Sequence, residues 1–169
     1  MKKPFVMLMM SSCLLSTPSI AQVVVNDPVA TSQAVITCGN ARFTVLTPEM
    51  IRVEYSEQAK FEDRATFTIV NRKLDAPQFT KSEDDTYLYI TTSNLKLKYR
   101  KGTDPRTLPA SPSNLTITIS GNGVSSVWYP GKPDPLNLKG TSRTLDGLMG
   151  ESKRAEMENG LVSRSGWAV

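Results

Sequence analysis

Acidic residues are the first candidates for chemistry in this sequence, because hydrolysis of a sugar linkage usually requires two carboxyl groups in one site. Adjacent acidic residues occur at Glu62-Asp63 and at residues 83–85. Both groups lie in turn-like contexts, and we interpret them as solvated turn residues. The sequence contains no histidine, which excludes a Ser-His-Asp triad and a Cys-His pair. We therefore predict no catalytic residue in this chain.

Metal and cofactor chemistry is equally poorly supported by the residue types. The only cysteines are Cys13 and Cys38, and the absence of histidine excludes the usual zinc sites. We interpret Cys38 as a small apolar side chain at the end of a strand. The Gly-Asn-Gly run at 121–123 lacks the lysine and the following helix of a phosphate-binding loop. We expect no metal site and no cofactor.

Two tryptophans and a few polar side chains in the C-terminal third could bind a sugar. The indole rings of Trp128 and Trp167 offer flat apolar faces for stacking on a pyranose. Arg143, Asp146 and Arg164 could form hydrogen bonds with hydroxyl groups. The alternative is that both tryptophans belong to the core or to a domain interface. Among these residues we take Asp146, Arg164 and Trp167 as candidate substrate-binding residues.

The N-terminal leader carries half of the excess positive charge. The chain has 169 residues, a net charge of +4 and 39% apolar residues. Residues 1–21 contain two lysines, an apolar stretch at 5–15 and a small-x-small cleavage site at Ser19-Ile20-Ala21, which predicts a secretory signal peptide. A membrane anchor or a lipid-modified Cys13 is the alternative, but the apolar stretch is too short to span a bilayer.

Export by this signal peptide places the mature chain, residues 22–169, in the periplasm or outside the cell. After cleavage no membrane span is expected. The remaining basic and acidic residues nearly balance, and no basic stripe suggests nucleic acid as a partner.

The mature chain reads as a series of short β-strands. In residues 41–47, Phe43 and Val45 alternate with Arg42 and Thr44, which predicts a sheet with one buried and one solvated side. Further strands are predicted at 50–55, 66–70, 87–91, 95–99, 115–120 and 124–129. Turn residues at 92–94 and 121–123 predict two hairpins. Strands at this spacing predict an all-β fold, an antiparallel β-sandwich.

The pattern changes near residue 130. Residues 130–166 are rich in Gly, Pro, Asn and charged residues and show little alternation. A long irregular segment of this kind is usually functional or packs on another domain.

Two motifs in this loop-rich part carry a family resemblance. They are DPLNLKGTSRTLDG at 134–147, which follows a Trp-Tyr-Pro-Gly sequence at 128–131, and GLVSRSGWA at 160–168. With the strand pattern before them, they resemble the N-terminal domain of family 31 glycoside hydrolases, a group of α-glucosidase- and α-xylosidase-like enzymes. The resemblance covers nearly all of the chain after the leader. One departure is Ser165, where the family often has Asp.

This resemblance implies a β-sandwich related to the galactose-mutarotase fold, placed before a catalytic (β/α)8 barrel. In such enzymes two Asp residues of the barrel perform the retaining hydrolysis, and a loop of the N-terminal domain shapes the substrate pocket. No residue of this chain matches the catalytic motifs. We expect the chain to be a fragment that stops at Val169 before the barrel, with the missing barrel and, through the full-length enzyme, a carbohydrate substrate as its partners.

Two other functions remain open from the residues alone. The chain could be a free-standing carbohydrate-binding module of the periplasm, with Trp128 and Trp167 as its stacking platform. It could also be a structural or pilus-type sandwich that makes no sugar contact.

Overall fold

The computed structural model describes residues 26–107, 114–121, 123–140 and 157–169. Within these ranges the chain forms ten β-strands and one short 3-10 turn at Ser32–Ala34, and it contains no α-helix. The strands are β1 (Val35–Cys38), β2 (Ala41–Thr47), β3 (Met50–Tyr55), β4 (Thr80–Glu83), β5 (Tyr87–Thr91), β6 (Leu95–Arg100), β7 (Leu115–Gly121), β8 (Val124–Trp128), β9 (Val162–Ser163) and β10 (Trp167–Ala168). No helix in these ranges is long and apolar enough to cross a membrane.

The strands form three antiparallel sheets with simple up-and-down order. β1, β2 and β3 make one sheet, and β4 to β8 make a five-stranded sheet in sequence order. β9 and β10 make a separate two-stranded ribbon. Every pairing is antiparallel. The described part of the chain is therefore all-β, as the alternating sequence predicts.

One hydrophobic core joins the two larger sheets. Phe43 of β2 and Tyr99 of β6 are both fully buried, and their ring centroids lie 5.0 Å apart. The same cluster contains Leu88 and Ile90 of β5 and Leu97 of β6. Because the core-facing residues occupy every second position, each sheet directs one apolar face inward. Two sheets that share a core in this way are consistent with a β-sandwich.

The predicted hairpins are confirmed. Residues 41–47 and 50–55 are β2 and β3 with the predicted bounds, and a tight turn at Pro48-Glu49 connects them. β5 and β6 pair around the turn at 92–94, where the hydroxyl of Thr92 accepts hydrogen bonds from the backbone N–H groups of Asn94 and Leu95. β7 and β8 pair as far as Gly121 and Val124.

The strand predicted at 66–70 is wrong. The Thr66 hydroxyl donates to the Ile69 carbonyl and accepts from the Ile69 N–H, at 3.0 and 3.1 Å, so residues 66–69 close into a turn. Phe67 lies within this turn and is fully exposed. The local hydrogen bonds of the Thr66 side chain have replaced the strand pairing that the β-propensity of residues 66–70 favoured.

The prediction of one solvated side is wrong for β2. Residues Ala41 to Leu46 are all buried, including Arg42 at 9% and Thr44 at 2% exposure. The face that carries Arg42 is covered by residues 56–79, a segment without strands in which Phe61 stacks on the Arg42 guanidinium at 4.7 Å. This segment forms a covering layer over the polar face of β2 and β3.

Four strands are absent from the sequence-based prediction: the two strands of the ribbon, β9 and β10, and the two edge strands β4 and β1. β4 has four exposed residues and no apolar alternation, and its last residue, Glu83, belongs to the acidic run predicted as a turn. β1 contains only four residues. Both lie at sheet edges and pair with a single neighbour, so their conformation depends on β5 and β2 more than on their own sequences.

Candidate functional site

The two motifs that carry the family resemblance lie side by side. The Leu138 N–H donates to the Val162 carbonyl at 3.0 Å, and the Arg164 N–H donates to the Leu136 carbonyl at 3.0 Å. Asn137 and Ser163 form an isolated antiparallel bridge between these contacts. We call residues 134–140 and 157–169 together the stem. The irregular segment predicted after residue 130 thus has backbone pairing of its own.

The side chain of Asn137 holds the two halves of the stem together. Its Oδ1 accepts hydrogen bonds from the N–H groups of Lys139 and Gly160, both at 2.8 Å. Its Nδ2 donates to the Gly160 carbonyl at 3.0 Å and to Asp134 Oδ2 at 2.9 Å. All the hydrogen-bonding positions of this amide are occupied by partners within the stem. Asn137 is therefore a structural residue of the motif.

Asp134 completes this network from the opposite side. Its carboxylate is buried at 9% exposure and accepts a 2.8 Å hydrogen bond from the Ser163 hydroxyl, besides the bond from Asn137. The Ser163 hydroxyl accepts a bond from the Ser165 N–H at 3.0 Å. Buried polar groups are costly unless they are paired. These bonds therefore orient the two halves of the stem. Ser165 takes part through its backbone.

Gly160 lies where the two halves of the stem come closest. A Cβ atom at this position would lie 2.4 Å from the Lys139 carbonyl oxygen, which is backbone and cannot rotate away. We expect Gly160→Ala to destabilise the stem by about 1–3 kcal/mol through steric overlap. Hydrogen exchange of the Leu138 amide, which is bonded across the stem, measures this effect. Gly140→Ala, whose added Cβ would make only an ordinary contact of 3.6 Å with the Glu158 carbonyl, is the matched control; equal effects on the Leu138 amide would contradict the steric explanation.

Of the three predicted substrate-binding residues, the structure describes Arg164 and Trp167. Arg164 is exposed and lies between β9 and β10, directly after Ser163. Trp167 is half-buried in β10, opposite Ser163, and its Nε1 is buried without a hydrogen-bond partner in the described part of the chain. Asp146 and Arg143 lie outside the described residues. The structure thus brings Arg164 and Trp167 together on one hairpin.

Trp128 has a different environment. It lies at the end of β8, paired with Ile117, and packs partly buried against the hydrophobic core. Its position agrees with the interpretation of this tryptophan as a core residue.

The adjacent acidic residues have structural partners. Glu62 forms a bidentate pair with the Arg64 guanidinium, which lowers the pKa of this exposed carboxyl to about 2. The neighbouring Asp63 pairs with Arg42 at 2.7 Å. In the second group, Asp84 accepts bonds from the N–H groups of Tyr87 and Thr86, and these bonds lower the pKa of its carboxyl. Neither group provides a free acid opposite a free base.

Cysteine and metal chemistry find no support in the described ranges. Cys38 packs against the core at the end of β1, and burial raises the pKa of its thiol, so the reactive thiolate is disfavoured. No group of three or more Cys, Asp or Glu side chains in these ranges could hold a metal ion.

A shallow groove was not anticipated from the sequence. Its volume is about 860 Å³, and it runs beside the turn between β5 and β6. Its polar lining is uncharged and includes the amides of Gln33 and Gln78 and the hydroxyls of Thr80, Thr91 and Ser93, with Phe79 and Pro77 as apolar neighbours. These residues come from distant parts of the chain and form no motif, so no local pattern could have identified them.

Comparisons with known proteins give no independent family assignment. No protein-family model matches the chain. A search of curated proteins finds no significant match.

Proposed function

We propose that this chain is the N-terminal, non-catalytic domain of an exported α-glycoside hydrolase of the family 31 type. In this proposal the fold is a β-sandwich related to galactose mutarotase, and the leader at 1–21 directs export. The observation that supports it best is the stem. Residues Asp134, Asn137, Gly160 and Ser163, which all belong to the two family-like motifs, make one connected hydrogen-bond network.

The stem suggests how the domain would serve the enzyme. The Gly140 N–H donates to the Glu158 carbonyl at 2.8 Å, so the stem joins the described residues that flank positions 141–156 in the sequence, where Arg143 and Asp146 occur. Arg164 and Trp167 lie on the adjoining hairpin. We infer that this end of the domain packs on the catalytic barrel and forms part of the pocket rim. There Arg164 would donate hydrogen bonds to sugar hydroxyls.

Hydrolysis itself is assigned to the barrel. A retaining glycosidase needs two carboxyl groups about 5 Å apart, one as nucleophile and one as acid and base. Among the adjacent acids, Glu62, Asp63 and Asp84 are engaged by Arg64, Arg42 and backbone N–H groups respectively. We expect the isolated 169-residue chain to show no α-glycosidase turnover.

The decisive experiment uses the protein in the cells that export it. An antibody raised against the chain should isolate a polypeptide much larger than 18.6 kDa that hydrolyses p-nitrophenyl α-glycosides. In that enzyme, Arg164→Ala should lower kcat/KM by about 10- to 100-fold, the usual value of a lost substrate hydrogen bond. Arg64→Ala, which removes an exposed arginine of the covering layer, should leave kcat/KM unchanged. A native polypeptide of 18.6 kDa or less without hydrolytic activity would contradict the proposal.

A free-standing carbohydrate-binding module is the second candidate, and the uncharged groove favours it. Amide and hydroxyl side chains beside an aromatic ring are suited to neutral sugars. If the chain acts alone, calorimetric titration with oligosaccharides should show saturable binding that Gln78→Ala weakens at least fivefold. The matched control is Gln58→Ala, which changes an exposed glutamine outside the groove. Equal effects of the two variants on oligosaccharide affinity would exclude the groove as the binding site.

A further inference from the structure

Three arginines converge beneath the covering layer. Arg42 of β2, Arg52 of β3 and Arg72 of the 56–79 segment line one cavity of about 330 Å³. Thr44 and Asp63 also line it, and Val35 contributes to an apolar part of its wall. The cavity is distinct from the stem and from the uncharged groove, and it shares no lining residue with either.

Carboxylates neutralise only part of this cluster. Glu54 binds Arg42 Nε at 2.7 Å and Arg52 Nη2 at 2.7 Å, and Asp63 binds Arg42 Nη1 at 2.7 Å. Arg72 has no carboxylate partner in the described residues. Three guanidinium groups therefore face two carboxylates, which leaves one net positive charge. Burial, together with the nearby charges of Arg72 and Arg42, lowers the pKa of Arg52 in spite of Glu54.

Arg72 is the most informative member of the cluster. Its residue exposure is 2%, and its guanidinium donates to the backbone carbonyls of Pro28, Asp63 and Arg64. Its Nε is buried without a hydrogen-bond partner in the described part of the chain. A buried charge without a counter-charge is costly, and so is a buried donor without an acceptor. A bound anion would supply the missing counter-charge.

We propose that the cavity lined by Arg42, Arg52 and Arg72 binds a small oxyanion. Guanidinium groups recognise carboxylate, sulfate and phosphate through paired N–H donors. The contacts of Arg52 within the described residues use Nη2, and they leave its Nε and Nη1 for a ligand. Val29, Ala30 and Val35 provide an apolar wall. The volume accommodates roughly ten water-sized groups at about 30 Å³ each, which suits a short-chain organic acid or an inorganic oxyanion.

The test measures binding to the purified chain directly. Calorimetric titrations with sodium propionate, sodium sulfate and sodium phosphate, each at matched ionic strength in sodium chloride, distinguish the carboxylate from the tetrahedral anions. We expect saturable binding of at least one of them and a rise of Tm of about 5–10 °C at 100 times its Kd. Saturation separates this effect from the general stabilisation that sulfate gives to many proteins. Failure of all three anions to bind better than chloride would overturn the proposal.

Variants locate the site. Arg52→Gln should weaken binding at least tenfold, whereas Arg100→Gln, which removes the same charge from an exposed position on β6, should change Kd less than twofold. Val29→Glu, at an exposed position on the cavity wall, supplies a tethered carboxylate. This variant should raise Tm without added anion, and added anion should then raise Tm no further. It keeps the proposal testable if Arg52→Gln fails to fold. Equal weakening by Arg52→Gln and Arg100→Gln would show charge screening alone and refute the assignment.

Discussion

Replacing Phe43 with alanine should lower the free energy of unfolding by about 3–5 kcal/mol, the usual cost of removing a buried aromatic ring from a core. Phe43 has no exposed surface, and its ring packs against Tyr99 of the opposite sheet. The substitution removes contacts within β2 and the aromatic contact between the two sheets at once. Urea unfolding followed by circular dichroism measures the change.

Phe67→Ala is the matched control for this variant. Phe67 is fully exposed in the turn at 66–69, so the same chemical change there should alter stability by no more than about 0.5 kcal/mol. We also expect both larger sheets to unfold in one transition. Two transitions, with only the three-stranded sheet affected by Phe43→Ala, would show that the sheets do not depend on a common core.

The second large effect is expected at Asn137. Asn137→Ala removes four hydrogen bonds and leaves the N–H groups of Lys139 and Gly160 without their acceptor. The stem should lose about 2–4 kcal/mol, because each unsatisfied partly buried group costs about 1–3 kcal/mol and water replaces some of the bonds. Hydrogen exchange of the Gly160 amide should accelerate by roughly 30- to 1,000-fold, as the tenfold-per-1.4 kcal/mol relation requires.

Two further variants define the origin of this effect. Asn159→Ala removes only the exposed bond from Lys139 Nζ, and exchange at Gly160 should stay nearly unchanged. Asn137→Asp keeps an acceptor for both N–H groups but places a second carboxylate against Asp134. If Asn137→Ala and Asn159→Ala accelerate exchange equally, the network does not hold the stem together.

The sequence allowed prediction of the strands in which apolar and polar residues alternate. β2, β3 and the hairpins around 92–94 and 121–123 were predictable because period-two patterning and turn chemistry act over a few residues. The turn at 66–69 was not, since one threonine side chain overrode a run of residues with high β-propensity.

Burial of the polar face of β2 could not be predicted locally. Arg42 reads as a surface residue, and only the covering layer, with Asp63 and Phe61, explains its environment. The stem is a similar case. Its residues were conspicuous in the sequence as two motifs, but Asn137 and Gly160 are 23 positions apart, and no local rule gives their contact.

The contacts of Arg72 have a consequence for the order in which the chain folds. Its guanidinium binds carbonyls 44, 9 and 8 positions away in sequence, so the contact with Pro28 forms only after a long loop has closed. Long-range closure is slow and entropically costly compared with hairpin formation. Hairpins such as β2–β3 and β5–β6 can therefore form before the Pro28 contact does. Until that contact forms, residues 56–79, which contain no strand, would be the part of the chain most open to proteolysis.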